Sequence, residues 1–339
     1  MNKYFHGDDI FKYQNIKYNF SSNIWPYFNF YEVFDFIKNN LDVIRNYPDP
    51  KYSELSYNLN RYLNTELNSI ILGNGSIELF STIALKYYGA HSLILQPTFV
   101  EYEKVCLNHN HKIKHIFELD EIKKYPDAQL VWICNPNNPT GKIIESEELI
   151  LYIKNYQNFT FVVDEAYIDY SLKAESLISY VDKFKNLIIV RSFTKRFAIP
   201  GLRIGYLITN IELRNSLQQL LNTWNVNSLA QKVANYFLNN FEKYKLPLEE
   251  IYQLKSELVQ SLQQNKHLKV LKSDMHYFLI QIFKFKSYEL KEKLARDFGI
   301  LIRDASNFYG LDDSYIRIST LNREANLHLI NSIYKILND

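Results

Sequence analysis

Cysteine is nearly absent from this chain of 339 residues. Cys106 and Cys134 are the only two, too few for a disulfide framework and suited to a reducing compartment. No apolar run approaches the roughly 20 residues that span a bilayer, so no membrane helix is expected. The opening stretch carries His6, Asp8 and Asp9 where a signal peptide would have an apolar core, so none is expected. Neither sign of charge is in excess. The formal balance of +2 gives no reason to expect a nucleic acid or an acidic membrane surface as partner. Repeats, low-complexity tracts and flexible linkers are missing too. What remains is a globular composition, 47% hydrophobic and 22% charged, long enough for one large domain and a smaller one. A cytoplasmic location is the expectation.

Helical spacing appears first, at 33–46 (Phe34, Ile37, Leu41, Ile44) and 51–63. Ile70-Ile71-Leu72 then runs into Gly73-Asn74-Gly75-Ser76 and an apolar-periodic stretch, which reads as strand, glycine turn and helix start. From there short Val/Ile/Leu runs at 92–96, 129–134, 159–164, 187–191 and 203–209 alternate with helical patterns at 99–107 and 145–156. Such a rhythm predicts a mostly parallel sheet covered on both faces. After Thr209 long helical patterns (211–222, 228–241, 247–264) lead to strands near 277–283, 300–303 and 315–319 and a closing helix at 322–336, a second α+β domain. His109, His111 and His115 lie in a polar Asn-His-Asn-His-Lys stretch, expected to be a solvated loop and not a metal site.

Four segments carry chemistry. Lys195 follows Ser192-Phe193-Thr194 at the end of an apolar strand, placed to form an imine and to face a phosphate. Arg203 supplies a fixed planar charge for the same phosphate. Asp164, at the end of Phe161-Val162-Val163, stands where open α/β sheets gather ligands and can keep an aromatic nitrogen protonated, with Tyr167 three residues on. Asn138 lies in the rigid turn Asn135-Pro136-Asn137-Asn138-Pro139-Thr140-Gly141. Gly75 and Ser76 offer backbone N–H groups at a helix start, a natural phosphate seat. Taken singly, each has an ordinary explanation: a basic turn, a helix-capping Asp, an Asn-Pro turn, a glycine turn.

In order and spacing the four together resemble the fold-type I pyridoxal-phosphate (PLP) enzymes, in the branch that holds the histidinol-phosphate aminotransferases, and the likeness runs over nearly the whole chain. It implies an aspartate-aminotransferase-like α/β fold: an N-terminal arm (1–25) that closes over the active site, a large PLP-binding domain (26–213) with a mostly parallel seven-stranded sheet, and a small C-terminal α+β domain (214–339). It implies further that Lys195 holds PLP as a Schiff base, that Asp164 bonds the ring nitrogen, and that Tyr167 and Asn138 reach the ring oxygen. Gly75, Ser76, Ser192, Thr194 and Arg203 would cradle the phosphate, and Phe99 would stack on the ring. Tyr47, in Asn46-Tyr47-Pro48-Asp49, would reach the cofactor of a neighbouring subunit, so a homodimer with shared sites is expected.

Within that branch the chain looks most like the threonine-phosphate decarboxylases of cobalamin biosynthesis. The likeness rests on His6-Gly7-Asp8-Asp9, on Asn19-Phe20-Ser21-Ser22-Asn23-Ile24-Trp25-Pro26, on the Gly73-Asn74-Gly75 turn, on Trp224-Asn225-Val226-Asn227-Ser228 and on Ile300-Leu301-Ile302-Arg303-Asp304-Ala305. Trp25 departs from the Asn usual there. By this resemblance Arg317 would bind the α-carboxylate and Arg303 the phosphate of a small phosphorylated amino acid, with His6 and Asn23 completing the site. O-phospho-L-threonine would lose CO2 to give (R)-1-amino-2-propanol O-2-phosphate. The alternative is a histidinol-phosphate aminotransferase with 2-oxoglutarate as acceptor. An aminotransferase-like transcription regulator is disfavoured, since only about thirty residues precede the first core helix.

Overall fold

A computed structural model describes residues 5–65 and 69–338. Its strands are β1 (Tyr18–Asn19), β2 (Ile70–Gly73), β3 (His91–Leu95), β4 (Lys112–Ile116), β5 (Leu130–Cys134), β6 (Thr160–Asp164), β7 (Leu187–Ser192), β8 (Gly205–Thr209), β9 (Leu268–Val270), β10 (Tyr277–Ile282), β11 (Ile300–Leu301), β12 (Arg303–Asp304) and β13 (Tyr315–Ser319). The helices are α1 (Tyr31–Asn39), α2 (Ser53–Leu63), α3 (Ser76–Lys86), α4 (Glu101–Asn108), α5 (Ser146–Asn155), α6 (Phe193–Arg196), α7 (Ile211–Gln218), α8 (Ser228–Asn239), α9 (Leu248–Gln263), α10 (Ser287–Phe298) and α11 (Arg323–Asn338).

Seven strands form the large sheet in the order β2-β8-β7-β6-β5-β3-β4, and only β8 runs against its neighbours. Strands β5, β6 and β7 read as unbroken apolar runs because both of their faces are covered. Val131, Ile133, Phe161, Val163 and Ile189 face one cluster with α2, α5 and α8. Leu130, Trp132, Val162, Ile188 and Val190 face the other with α3, α4 and α7. This alternation is the strand period of two, used in opposite directions by neighbouring residues.

The second sheet, β12-β13-β10-β9, is antiparallel, and α9, α10 and α11 cover it through Leu258, Leu262, Leu290, Leu294, Leu329 and Ile333. The expected division at 213/214 does not follow the packing. Helix α8 buries Ala230, Val233, Ala234 and Phe237 in the large-sheet core, and Leu217 of α7 lies in the opposite large-sheet cluster, so the smaller core begins with α9. Both helices are amphipathic, and nothing in their period says which sheet they cover. The N-terminal arm joins the smaller unit. β1 pairs in parallel with β11, Tyr18 and Phe20 enter its core, and buried Asp9 binds Lys291 at 2.7 Å.

The expected solvated histidine loop is corrected as well. Residues 112–116 form strand β4 at the sheet edge, with a burial pattern too polar to announce a strand. His111 is buried, with Ser92 Oγ at 2.8 Å from Nδ1 and the Ala84 carbonyl at 2.9 Å from Nε2, so it serves packing. His109 lies 3.0 Å from Ser81 Oγ. Burial lowers the pKa of both.

Candidate active site

Strands β5, β6 and β7 end at Cys134, Asp164 and Ser192 on one edge of the sheet, the carboxyl edge where such folds bind ligands. The turn into α3 and the entry to β8 close that edge from the side. The resulting cleft is lined by Gly75, Ser76, Ile77, Phe99, Cys134, Asn138, Asp164, Ala166, Tyr167, Ser192, Thr194, Lys195 and Arg203. Every residue that the resemblance assigns to the cofactor within one chain is among them. Tyr47 is elsewhere: it is exposed and stacks on Trp224 with ring centroids 4.3 Å apart.

At the floor, Asp164 is buried and makes no ion pair among the described residues. Ala166 N–H donates to its Oδ1 at 3.0 Å and Tyr102 Oη to its Oδ2 at 2.5 Å. Burial pushes its carboxyl up to about 6, although these hydrogen bonds pull the other way. Tyr102 was not singled out in the sequence, because a tyrosine on a helix (α4) carries no motif; only the fold brings it under β6. Lys195 Nζ lies 5.9 Å from the Tyr167 ring centroid and donates to the Ser22 carbonyl at 3.4 Å. Burial first, and then the Arg317 charge, lower its amine to about 8, so a usable fraction is neutral near neutral pH.

Beside these lies a cluster of hydrogen-bond donors. Gly75 precedes the first turn of α3, Ser192 Oγ and Thr194 Oγ1 are 2.6 Å apart, and the Arg203 guanidinium faces Gly75. Gly75 has φ +75°, and a Cβ there would overlap that guanidinium. A Cβ on Gly205 would press on Ser76 N at 2.8 Å and Arg191 O at 3.0 Å, which explains how α3 approaches β8 so closely. Helix N–H groups, two hydroxyls and an arginine form a phosphate-binding set, and a buried carboxylate lacking a cation suits a protonated ring nitrogen. The residues present therefore fit PLP. Gly75→Ala is expected to weaken cofactor retention about 10-fold or more through overpacking and strain, measurable by absorbance during equilibrium dialysis.

Asp164 also sets a pH dependence. A carboxyl whose folded pKa is raised binds protons more tightly folded than unfolded, so stability falls as pH rises from about 4 to about 6. For the cofactor-free protein, the unfolding free energy relative to Asp164→Asn should decline by about 2 kcal/mol across that window. Urea unfolding of the two proteins at pH 4 and pH 7 checks it.

Arg303 and Arg317, neither of them among the residues lining the cleft, are directly opposed across β12 and β13, both buried, and no carboxylate pairs with either among the described residues. Arg317 Nη1 bonds Asn138 Oδ1 and Nη2 bonds the Ser21 carbonyl, while Nε has no partner. Arg303 sits between the Phe5 and Phe308 rings at 4.9 Å from each and donates to Asn307 Oδ1 at 2.5 Å. Burial, and next the neighbouring Arg317, bring Arg303 down to about 9. Asn23 is fully buried at φ 53°, and neither end of its amide is hydrogen-bonded. His6 is not among the lining residues. Its Nε2 lies 2.7 Å from Glu101 Oε1, and its ring is 6.0 Å from that of Phe99.

Fold and cleft together define a PLP-dependent enzyme of fold type I. More narrowly, the chain belongs to the aminotransferase class I and II family, whose profile matches residues 15–333. It is 32% identical to a histidinol-phosphate aminotransferase of Caldanaerobacter subterraneus, covering 95% of this chain and 93% of that one. It is 30% identical to an adenosylcobalamin biosynthesis bifunctional protein of Leptospira interrogans, covering 94% of this chain and 38% of the other. The crystal structure of an L-threonine-O-3-phosphate decarboxylase from Porphyromonas gingivalis superposes with TM-score 0.91 at 30% identity, covering 95% of this chain and 100% of that one. No described helix is long and apolar enough to cross a membrane.

Proposed function

We propose that the chain decarboxylates O-phospho-L-threonine to (R)-1-amino-2-propanol O-2-phosphate, a step of cobalamin biosynthesis. The observation that carries this reading is the pair Arg303 and Arg317, two buried cations side by side with no carboxylate partner among the described residues. Two uncompensated guanidinium groups ask for a substrate with two anions, and an amino acid bearing a phosphate ester has them. In the aminotransferase reading histidinol phosphate has only one, although its partner substrate 2-oxoglutarate has two. The similarity to the decarboxylase of P. gingivalis supports the same choice.

When bound, PLP supplies an electron sink for the pair left at the substrate Cα. Asp164 keeps the proton on the ring nitrogen. Tyr167 and the amide N–H of Asn138, whose oxygen Arg317 holds, donate to the ring oxygen. Gly75, Ser76, Ser192, Thr194 and Arg203 grip the cofactor phosphate, and Phe99 covers the ring. Arg317 would take the α-carboxylate and Arg303 the substrate phosphate, and the two together would fix the orientation of the substrate at Cα. Asn23 and His6 close the site from the arm. Lys195 would hold PLP through its amine and, as a free amine, would return a proton to Cα. Tyr47, exposed beside Trp224, joins the site of a second copy in a homodimer.

A product assay tests the reading: purified holoenzyme with O-phosphothreonine and no oxo acid. Catalytic release of CO2 with aminopropanol phosphate is expected. The second reading, favoured by the C. subterraneus relative, is histidinol-phosphate aminotransfer. Glutamate formed from 2-oxoglutarate and histidinol phosphate, with no CO2, would replace the first reading by the second.

A further inference from the structure

His276 immediately precedes β10 and is wholly buried among groups that belong to the cleft. Its ring stacks on Tyr170 (centroids 4.2 Å apart, planes at 22°), and its Nε2 lies 3.2 Å from the Asn23 carbonyl. A carbonyl only accepts, so that contact fixes the Nε2–H tautomer; Nδ1 then points into the interior without a partner. Asn23 ends a turn whose carbonyls are spent one after another on the catalytic face. Ser21 O accepts from Arg317, Ser22 O accepts from Lys195 Nζ at 3.4 Å, and Asn23 O accepts from His276. A second tie reaches the same lysine from behind: Trp25 N–H donates to Tyr170 Oη, which donates to the Lys195 carbonyl at 3.0 Å. Asn23 itself lies in the left-handed region at φ 53°, which asparagine adopts more readily than most residues.

We propose that His276 is a positioning residue: by holding the Asn23 carbonyl it fixes the Ser21–Asn23 turn, and the turn's Ser22 carbonyl seats the Lys195 amine whenever that amine is not joined to the cofactor. The proposal rests on Lys195 being the cofactor-bearing lysine. A neutral histidine suits the task, because a third cation beside Lys195 and Arg317 would compete for the same carbonyls. Burial first holds the imidazole down to about 3, so it stays neutral at every working pH. The charged and titratable groups around it are Lys195, Arg317 and Lys255, with Tyr170 and Tyr277 on the packed faces. Around Lys195 they are Arg317, Asp8, Arg203, Asp164 and Tyr167.

An acceptor at Ser22 favours the ammonium form of Lys195, so loosening it favours the neutral amine. The rate at which apoenzyme captures PLP reports that neutral fraction, as a pH profile independent of turnover. His276→Phe keeps a stacking ring and removes the donor; His276→Gln restores an N–H. The expected result is a capture midpoint lowered by about half a unit or more in His276→Phe, and returned toward wild type in His276→Gln. Should the Phe variant fail to fold, His276→Leu compared with His276→Gln poses the same contrast. Unchanged midpoints in folded donor-less variants would overturn the proposal. Lys195→Ala runs alongside: retention of the visible cofactor band there would overturn the assignment of Lys195 itself, whereas loss of the band with unmoved His276 midpoints would overturn only the role of His276.

Discussion

Lys195→Ala is expected to fold, to lose the visible absorbance of lysine-bound PLP, and to lose at least about 10⁴-fold in turnover, the upper range for removal of a positioned acid–base group. The structure gives three reasons for so large an effect. Among the described residues the amine is the only primary amine lining the cleft, and burial and Arg317 have already brought it to about 8, where it can both attack and carry a proton. Its backbone is tied by Tyr170 and its Nζ by Ser22, so no neighbouring group can take its place. PLP should still associate through the donors at Gly75, Ser76, Ser192, Thr194 and Arg203, held without a covalent bond and lost on gel filtration. Absorbance before and after the column, with CO2 release alongside, reads both consequences.

The second large effect is at Arg317. Truncating a buried partner of a charged hydrogen-bonded pair costs about 2–5 kcal/mol, so Arg317→Gln is expected to lose roughly 30- to 5,000-fold in kcat/KM. Arg317→Lys should rescue little, since an ammonium cannot span Asn138 Oδ1 and the Ser21 carbonyl as the planar guanidinium does. A second observable separates this from simple damage. Arg317 is buried with no counter-ion among the described residues, an unfavourable arrangement. The Gln variant should therefore melt no lower, and even higher, than wild type in the absence of substrate. Thermal melts and steady-state kinetics on the same preparation check the pair of outcomes; a large fall in melting temperature with modest kinetic loss would make Arg317 structural.

Much of the cofactor cleft was legible because its residues sit at strand ends and glycine turns, where spacing and turn chemistry leave a trace. Asp164 closes an unbroken apolar strand, and Gly75 marks a turn that no larger residue fits. Tyr102 and His276 were not legible, since each acts through contacts made by residues distant in the chain: Tyr102 with Asp164, His276 with Asn23. The side of the molecule that a helix covers was equally hidden. α8 has the same amphipathic period whether it lies on the large sheet or the small one, and only the packing of Phe237 and its neighbours decides. β4 leaves no strand pattern in the sequence because an edge strand tolerates polar residues on its open face.

The pairing of β1 with β11 bears on how the protein is made on the ribosome. Asn19 must wait for Leu301, roughly 280 residues later, before its ladder partner exists. At 5–20 residues per second that is a delay of roughly 15–60 s. The large sheet, by contrast, is contiguous from Ile70 to Thr209 and can assemble while the rest is still being translated. An early segment is thus among the last to dock, and Tyr18, Phe20 and the Asp9 carboxylate lack their native partners in the nascent chain until α10 and β11 arrive.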